Sequence, residues 1–253
     1  MHYIGIDIGS TSAKTIVLNE NKEVIHKDLR ATGWSSIDTA TSIRTCLWEN
    51  GFLKGAEITA TGYGRKSVSF ATKVVTEITC HALGAVNIYD DKNLFVIDIG
   101  GQDTKLIDIE DGFVKDFIMN DKCSAGTGRF LEVMANSLGL RPEELVSLGK
   151  KGSNTSISSM CTVFAESEVV SLIGRGEKKE NIAFAVVDSI VQKIKSQSSR
   201  FNLKEKTVCL TGGLTEMDYL RESLEKSLQV TVKTNPLGRF AGAYGAALLG
   251  AKK

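Results

Sequence analysis

The chain has 253 residues, with 31 Lys and Arg residues against 30 Asp and Glu residues, a net charge of +1, and five cysteines. This length suffices for one or two domains with a real core, and an apolar fraction of about one half, counting glycine, excludes disordered and fibrous proteins. The balanced charge argues against a generally basic nucleic-acid binder, and no uncharged run reaches the ~18 apolar residues typical of a membrane-spanning helix.

The cysteines and the N-terminus indicate the compartment. Five cysteines are an odd number and too few for a secreted disulfide framework, so the thiols are expected to be reduced or to bind metal. Residues Met1 to Ile4 begin a strand pattern at once and lack the basic region of a signal peptide. We therefore expect a cytoplasmic protein that binds neither a membrane nor nucleic acid.

The apolar periodicity predicts a similar series of elements at the start of each half of the chain. The first half contains a strand ending in Asp7, strands at 13–18 and 23–30, a helix at 37–48 and a strand at 57–61. The second half contains a strand ending in Asp98, strands at 104–109 and 113–117, helices at 130–138, 164–173 and 182–194, a strand at 207–211, and helices at 220–228 and 241–250.

An internal repeat sets the expected architecture. The segment Ile6 to Lys14 matches Ile97 to Lys105 at five of nine positions with a constant offset of 91 residues. Interleaved strands and helices without a long linker predict an α/β fold of two similar lobes that pack around a cleft. Lobe I is expected at 1–91, with the C-terminal helix at about 240–253 returning to it, and lobe II at 92–239.

The repeated turns are suited to phosphate binding. Each follows a strand that ends in an aspartate, Asp7 or Asp98, and such a turn offers backbone N–H groups to phosphate while the carboxylate holds Mg²⁺ directly or through water. Gly126-Thr127-Gly128 and Thr211-Gly212-Gly213 are further flexible turns. The chain has neither a P-loop nor a Rossmann glycine pattern. The alternative is that these glycines only form hairpins.

These motifs resemble those of the acetate and sugar kinase, Hsp70 and actin superfamily, a duplicated ribonuclease H-like fold that closes on ATP in a cleft between two lobes. The resemblance implies a first phosphate motif containing Gly9, Ser10, Thr11, Ser12 and Lys14, a second containing Gly100, Gly101, Gln102 and Asp103, and an adenosine motif at Gly212 and Gly213, with Gly126 and Gly128 near the nucleotide. It also implies that Asp7 and Asp98 organise Mg²⁺ through water and act with Gln102 in hydrolysis.

Two cysteines lie in polar turns that precede helices. Cys123 and Cys161 are both expected to begin helices, whose N-termini favour a thiolate, whereas Cys46, Cys80 and Cys209 are expected to be packed in a helix, a helix and a strand. An iron-sulfur cluster or zinc ion usually takes four ligands. Two cysteines cannot complete such a site, but two chains related by a twofold axis would supply four. The alternative is that both cysteines are packed small residues.

Three segments resemble motifs of the 2-hydroxyacyl-CoA dehydratase activators, which belong to the BadF/BadG/BcrA/BcrD type of ATPase. They are Asn120 to Phe130, Met160 to Val169, and Glu77 to Ala85. The resemblance implies a homodimer in which Cys123 and Cys161 of each chain ligate one bridging 4Fe-4S cluster. It further implies that ATP hydrolysis drives one electron, supplied by ferredoxin or flavodoxin, to an iron-sulfur dehydratase or reductase.

Several roles stay open at the level of sequence. Gln102 either orients the attacking water or only bonds its turn, and Glu166 and Glu168 either cap the second cysteine helix or act in hydrolysis. His81 is expected in the core, and Asp103 and Lys105 are equally well interpreted as hairpin surface charges.

The adenine contacts and the client are open as well, because the residues after Gly213 depart from the activator pattern. Other readings are the ATPase subunit of a benzoyl-CoA reductase, a small-molecule kinase of the same superfamily, and a redox-sensing module without ATPase activity.

Overall fold

A computed structural model describes residues 1–158 and 161–251. The chain divides into two compact units. Unit 1 comprises Met1–Leu94, Ile109–Asp116 and Leu237–Lys253, and unit 2 comprises Phe95–Asp108 and Phe117–Pro236.

A five-stranded sheet forms the centre of unit 1. Its strands are β1 (His2–Ile8), β2 (Ser12–Leu18), β3 (Val24–Ala31), β4 (Ala56–Thr61) and β5 (Lys73–Val74), in the order β3-β2-β1-β4-β5. The first three strands, all of them predicted, form an antiparallel meander, and β4 and β5 are parallel to β1. Strand β1 is therefore central, with its C-terminal end at Ile8.

Three helices cover this sheet, α1 (Ser36–Glu49), α2 (Glu77–Tyr89) and α8 (Ala241–Gly250). Helix α1 buries Ile43 and Leu47 against Ile4, Ile6 and Ile8. Helix α8 packs Ala243 and Ala247 on the opposite face of the sheet. A Cβ at Gly5 would overlap the backbone of α8, so this glycine is required for the close approach of helix and strand.

A second five-stranded sheet contains β6 (Leu94–Ile99), β7 (Thr104–Glu110), β8 (Phe113–Asn120), β9 (Thr207–Gly212) and β10 (Val232–Lys233). Its order is β10-β9-β6-β7-β8, which is the order of the first sheet when β6 takes the place of β1. The duplication predicted from two short motifs thus extends to the whole strand order.

The helices that follow β8 are α3 (Gly128–Ser137), α4 (Pro142–Gly149), α5 (Thr162–Gly174), α6 (Lys179–Ser198) and α7 (Asp218–Leu228). The core of unit 2 forms where α3, α4, α6 and α7 pack on β6 and β9. Helix α4 was not predicted, because it has only eight residues and Glu143 and Glu144 interrupt its apolar pattern. In the part of the chain that the structure describes, no helix is both long and apolar enough to cross a membrane.

Candidate functional site: two aspartate turns and a pair of cysteines

The first predicted phosphate turn connects β1 to β2. The Gly9 N–H donates to the Ser12 carbonyl oxygen at 3.1 Å, and the Thr32 hydroxyl donates to the Gly9 carbonyl oxygen at 2.7 Å. Ser10 and Ser12 are half-buried and Thr11 is exposed. The structure therefore closes this turn tightly while its side chains stay accessible to a ligand.

Asp7 lies at the end of β1 in a close-fitting environment. It is 6% exposed, and a Cβ at Gly242 would come within 2.5 Å of its Oδ2 atom and 2.7 Å of Cε1 of His81. A Cβ at Gly62 would overlap its Oδ1 atom. Within residues 1–158 and 161–251, no hydrogen bond or ion pair joins the Asp7 carboxylate to another residue. A buried carboxylate without a protein partner is well suited to a bound cation or its water.

His81 and Cys80 line the same region from α2. His81 is buried, as expected, and its Nδ1 atom lies 3.0 Å from the Glu77 carbonyl oxygen. Because a carbonyl oxygen only accepts, Nδ1 carries the proton. Cys80 is fully buried, and desolvation raises the pKa of its thiol to about 12. This thiol is protonated and unreactive at neutral pH.

The second turn connects β6 to β7 and is built differently. The Gly100 N–H donates to the Asp103 carbonyl oxygen at 2.9 Å, and Gln102 is exposed at the tip of the turn. Asp98 is 2% exposed and accepts a hydrogen bond from the Thr211 hydroxyl at 2.8 Å. Lys105 reaches Asp98 at 3.2 Å. The second aspartate, unlike the first, is paired inside the protein.

Lys105 corrects one interpretation made from the sequence. The residue is 3% exposed, so it is not a hairpin surface charge, and its ammonium also lies 2.5 Å from Asp103. Asp103 is half-buried and faces this lysine. The alternating pattern of a hairpin does not indicate which face is covered, which is why the sequence left this open.

One turn was missed in the sequence. Thr61-Gly62 lies at the end of β4 as Thr211-Gly212 lies at the end of β9, with both glycines in the left-handed region at φ +85° and +87°. The N–H of Gly64 donates to Ile8 at 2.8 Å, and that of Gly213 donates to Ile99 at 2.9 Å. The repeated Thr-Gly dipeptide at a strand end was the available signal.

The predicted glycine turn 126–128 lies against the second aspartate turn. The N–H groups of Gly128 and Arg129 donate to the carbonyl oxygens of Gly100 and Gly101 at 2.9 and 2.7 Å. The Thr104 hydroxyl donates to Gly126 at 2.8 Å. Two hydrogen bonds therefore fix the start of α3 to the turn, and a third fixes the preceding Gly126 to β7.

The two cysteines expected to ligate metal are brought together by their neighbours. Ser124 and Thr162, the residues that follow Cys123 and Cys161, have hydroxyl oxygens 2.7 Å apart. Cys123 is half-buried and Cys161 is exposed. Two thiols from distant parts of the sequence thus lie in adjacent segments and are accessible from outside.

Details around these cysteines differ from the expectation. Cys161 is the N-cap residue of α5, as predicted, but Cys123 does not begin a helix, because the N-cap of α3 is Thr127. Gly126 at φ +81° ends the intervening turn. Among described residues, no group of three or more His, Cys, Asp or Glu side chains could hold a metal ion. Met160 lies outside the described residues.

The two glutamates of α5 do not cap its start. The first turn of this helix contains no acidic residue, so the expected helix-capping role of Glu166 and Glu168 is wrong. Glu168 instead accepts hydrogen bonds from the Ser158 N–H at 3.0 Å and from the Ser158 hydroxyl at 3.2 Å. It thereby fixes Ser158 to α5. The other three cysteines lie in α1, α2 and β9, as expected.

Comparison with known proteins identifies relatives of the whole chain. The profile of the BadF/BadG/BcrA/BcrD ATPase family matches residues 4–250. The (R)-2-hydroxyglutaryl-CoA dehydratase activating ATPase of Acidaminococcus fermentans is 43% identical over 258 residues, which cover 100% of this chain and 98% of the relative.

Solved structures agree with this match. The crystal structure of the A. fermentans (R)-2-hydroxyglutaryl-CoA dehydratase component A has a TM-score of 0.92 at 42% identity, covering 100% of this chain and 98% of that chain. The activator of the 2-hydroxyisocaproyl-CoA dehydratase from Clostridium difficile with bound ADPNP has a TM-score of 0.90 at 32% identity, covering 99% and 94%. A ROK family glucokinase from Streptomyces griseus, at 16% identity and a TM-score of 0.62, shares the fold alone. The sugar-kinase type of fold expected from the sequence is confirmed.

Proposed function

Because the chain belongs to the BadF/BadG/BcrA/BcrD ATPase family, we propose that it is a homodimeric iron-sulfur ATPase that delivers single low-potential electrons to a 2-hydroxyacyl-CoA dehydratase or a related iron-sulfur reductase. The observation that carries this proposal is the contact between Ser124 and Thr162, which places Cys123 and Cys161 in adjacent segments. A phosphate-binding fold alone would equally suit a small-molecule kinase. The paired cysteines have no use in a kinase.

The first turn supports binding of Mg²⁺ and phosphate. Asp7 is buried without a protein partner, and its oxygens are the type of ligand that Mg²⁺ or its coordinated water prefers. Ser10, Thr11 and Ser12 offer hydroxyls beside it, and Lys14 is half-exposed on the neighbouring strand. Bound Mg²⁺ would neutralise phosphate charge during transfer of the γ-phosphoryl group to water.

The second turn would contact the nucleotide through its backbone and Gln102. Gly100 and Gly101 would lie beside the nucleotide, and the exposed amide of Gln102 is suited to orienting the attacking water. In this proposal Gly212 and Gly213 approach the adenosine. Hydrolysis is assigned to Gln102 rather than Glu166, because Glu166 lies one turn inside α5.

Cys123 and Cys161 fit an iron-sulfur cluster as donors. Thiolates are the usual ligands of such clusters, and a 4Fe-4S cluster needs four, so each chain of a dimer would supply two. Helix α5, which begins after Cys161, exposes four apolar side chains, namely Val163, Phe164, Val170 and Ile173. We propose that a second copy of the chain covers this surface. The bound cluster would accept and release one electron at a time.

Hydrogen bonds within unit 2 connect the second turn to Cys123. Gly128 and Arg129 bind the turn, Thr104 binds Gly126, and the Asn120 amide donates to the carbonyl oxygen of Cys123 at 2.8 Å. A movement of this turn on nucleotide binding or hydrolysis would therefore reach the segment that holds the thiol. We propose that this connection couples ATP hydrolysis to the reactivity of the cysteines.

The remaining assignments extend the same proposal. The named activity of the relatives supports a 2-hydroxyacyl-CoA dehydratase as the electron acceptor. Ferredoxin or flavodoxin in the cytoplasm is proposed as the electron source, because both donate single electrons at low potential.

The decisive experiment is the iron and acid-labile sulfide content per chain, with the mass of the assembly, on protein purified without oxygen. We expect about two irons per chain in a dimer, because one 4Fe-4S cluster would be shared by two chains. Cys123→Ser and Cys161→Ser should each lose all iron, and Cys46→Ser, a matched change in α1, should retain it. An iron-free monomer that binds ATP would contradict the proposal and favour a kinase.

A further inference from the structure

We infer that the ammonium of Lys105 takes the place of a metal cation at Asp98, so that the chain organises one divalent cation, at Asp7, and the second aspartate turn binds none. The cation at Asp7 is the Mg²⁺ ion of the proposed function. Only the statement about the nucleotide complex rests on that function. It assigns different roles to two aspartates that the sequence repeat makes equivalent.

The geometry around Lys105 is that of a completed cation site. Its Nζ atom lies 3.2 Å from Oδ2 of Asp98 and 2.5 Å from Oδ2 of Asp103, with the Lys105 and Asp98 side chains 4% and 3% exposed. The Thr211 hydroxyl donates to the other oxygen of Asp98. One positive charge thus meets oxygens from two carboxylates, of which Asp98 is buried and Asp103 is 21% exposed.

The turn itself holds these oxygens in place. The Gly100 N–H bonds the Asp103 carbonyl oxygen, and a Cβ at Gly100 would overlap Oδ1 of Asp103. Glycine at this position is therefore required for the Asp103 carboxylate to fold back toward Lys105. The lysine is positioned by the same backbone turn that was predicted to bind phosphate.

The first repeat lacks this arrangement although it has the corresponding lysine. Lys14 stands opposite Asp7 in the β1–β2 register, as Lys105 stands opposite Asp98. Its Nζ atom instead lies 3.4 Å from the Ser12 carbonyl oxygen. Ser12 occupies the position of Asp103 in the repeat, so only the second turn supplies two carboxylates to its lysine.

A divalent cation at Asp98 would have to displace Lys105. The displaced ammonium would be buried without its carboxylate partners, which is strongly unfavourable. No such cost opposes a cation at Asp7, whose carboxylate has no protein partner within the described residues. Mg²⁺ therefore binds at the first turn only.

The inference predicts a gain of cation dependence when Lys105 is removed. Lys105→Ala leaves Asp98 and Asp103 around the vacated Nζ position, a pair of oxygens that an external cation can bridge. In nucleotide-free protein without divalent cations, we expect this variant to melt at a lower temperature than the parent chain. Millimolar Mg²⁺ or Ca²⁺ should restore most of the lost Tm, because the cation replaces the ammonium.

Lys14→Ala is the matched control, since it removes the equivalent lysine of the first repeat. We expect Mg²⁺ to raise its Tm no more than it raises the Tm of the parent chain, whose response comes from the cation at Asp7. A Lys105→Ala variant that folds but shows no larger Mg²⁺ response than Lys14→Ala would overturn the inference. This measurement needs neither ATP hydrolysis nor the cluster, so its result does not depend on whether the proposed function is correct.

A count of bound cations tests the same inference without Lys105 variants and decides it if Lys105→Ala does not fold. Equilibrium dialysis against Mn²⁺ with a non-hydrolysable ATP analogue should give one site per chain. Asp7→Asn should lose that site and Asp98→Asn should keep it. Two sites in the parent chain, or none, would contradict the inference. It would also be contradicted if Asp98→Asn lost the site and Asp7→Asn kept it.

Discussion

The N–H of Gly128, the first residue of α3, donates a hydrogen bond of 2.9 Å to the carbonyl oxygen of Gly100 in the second aspartate turn. The first N–H groups of a helix have no partner within the helix, so they are free to bind elsewhere. Here the N–H groups of Gly128 and Arg129 bind the turn that is proposed to contact ATP. The start of α3 is therefore bonded directly to this turn.

Removing the Thr104 hydroxyl should weaken this connection. Thr104→Val keeps the shape of a side chain that is 2% exposed, but leaves the Gly126 carbonyl oxygen without its 2.8 Å hydrogen bond. We expect the free energy of unfolding to fall by about 1–3 kcal/mol, measured by urea denaturation. The control is Thr41→Val, which removes an exposed hydroxyl bond within α1 and should change stability by less than about 0.5 kcal/mol. Equal effects of the two changes would argue against a special role for Thr104.

The contact between α2 and α8 should not tolerate a methyl group at Gly84. A Cβ there would overlap the carbonyl oxygen of Ala241 in α8. Gly84→Ala should lower stability by about 1–3 kcal/mol or more, because the two backbones must separate. Gly174→Ala, at the end of α5 with nothing within 4 Å of its Cβ, should be neutral or stabilising. Thermal unfolding of both variants measures the difference, and a stable Gly84→Ala would contradict the close approach.

The buried thiol of Cys80 should make stability depend on alkaline pH. Burial raises its pKa from 9.0 to about 12, so between these values the unfolded chain loses the thiol proton and the folded chain keeps it. Fewer protons are then bound by the unfolded state, and stability falls as pH rises from about 9 toward 12. Urea unfolding of the parent chain and of Cys80→Ala at pH 8 and pH 10.5 tests this. The variant should lose less stability over that interval, and an identical loss would refute the assignment to Cys80.

The two aspartates should respond differently to neutralisation. Asp7→Asn removes a buried charge that has no partner in the described residues, so stability should be unchanged or higher, while Mg²⁺-dependent ATPase activity falls by about 10²-fold or more. Asp98→Asn weakens the ion pair with Lys105 and should lower the free energy of unfolding by about 1–3 kcal/mol. Urea unfolding in the absence of nucleotide distinguishes them. Similar losses of stability in both variants would show that Asp7 has an internal partner after all.

Much of the fold was predictable because it depends on local patterns. Apolar alternation marked the strands, and the repeat of nine residues around Asp7 and Asp98 predicted the duplication that the strand orders confirm. Helix α4 was not found, because eight residues give too little periodicity to detect. The Thr-Gly turn at Thr61 was overlooked because its importance comes from β4 lying parallel beside β1.

The candidate cysteines were found from local chemistry, but their proximity was not. Polar turns around Cys123 and Cys161 marked both residues, while the contact of Ser124 with Thr162 connects segments 38 residues apart. The position of Cys123 relative to α3 was also misjudged. Gly126 and Thr127 end the turn before the helix starts, which the run of small residues did not indicate.

The sequence by itself determined the duplicated α/β fold, the two aspartate turns and the identity of the two candidate thiols, because each depends on residues close together in the chain. The tertiary structure decided which aspartate carries its own counterion. Lys14 and Lys105 are equivalent in the repeat, yet only Lys105 is buried against two carboxylates and close to Thr211. The energy of a buried charge is set by the groups that surround it in space, and β9 brings Thr211 to Asp98 from 113 residues away.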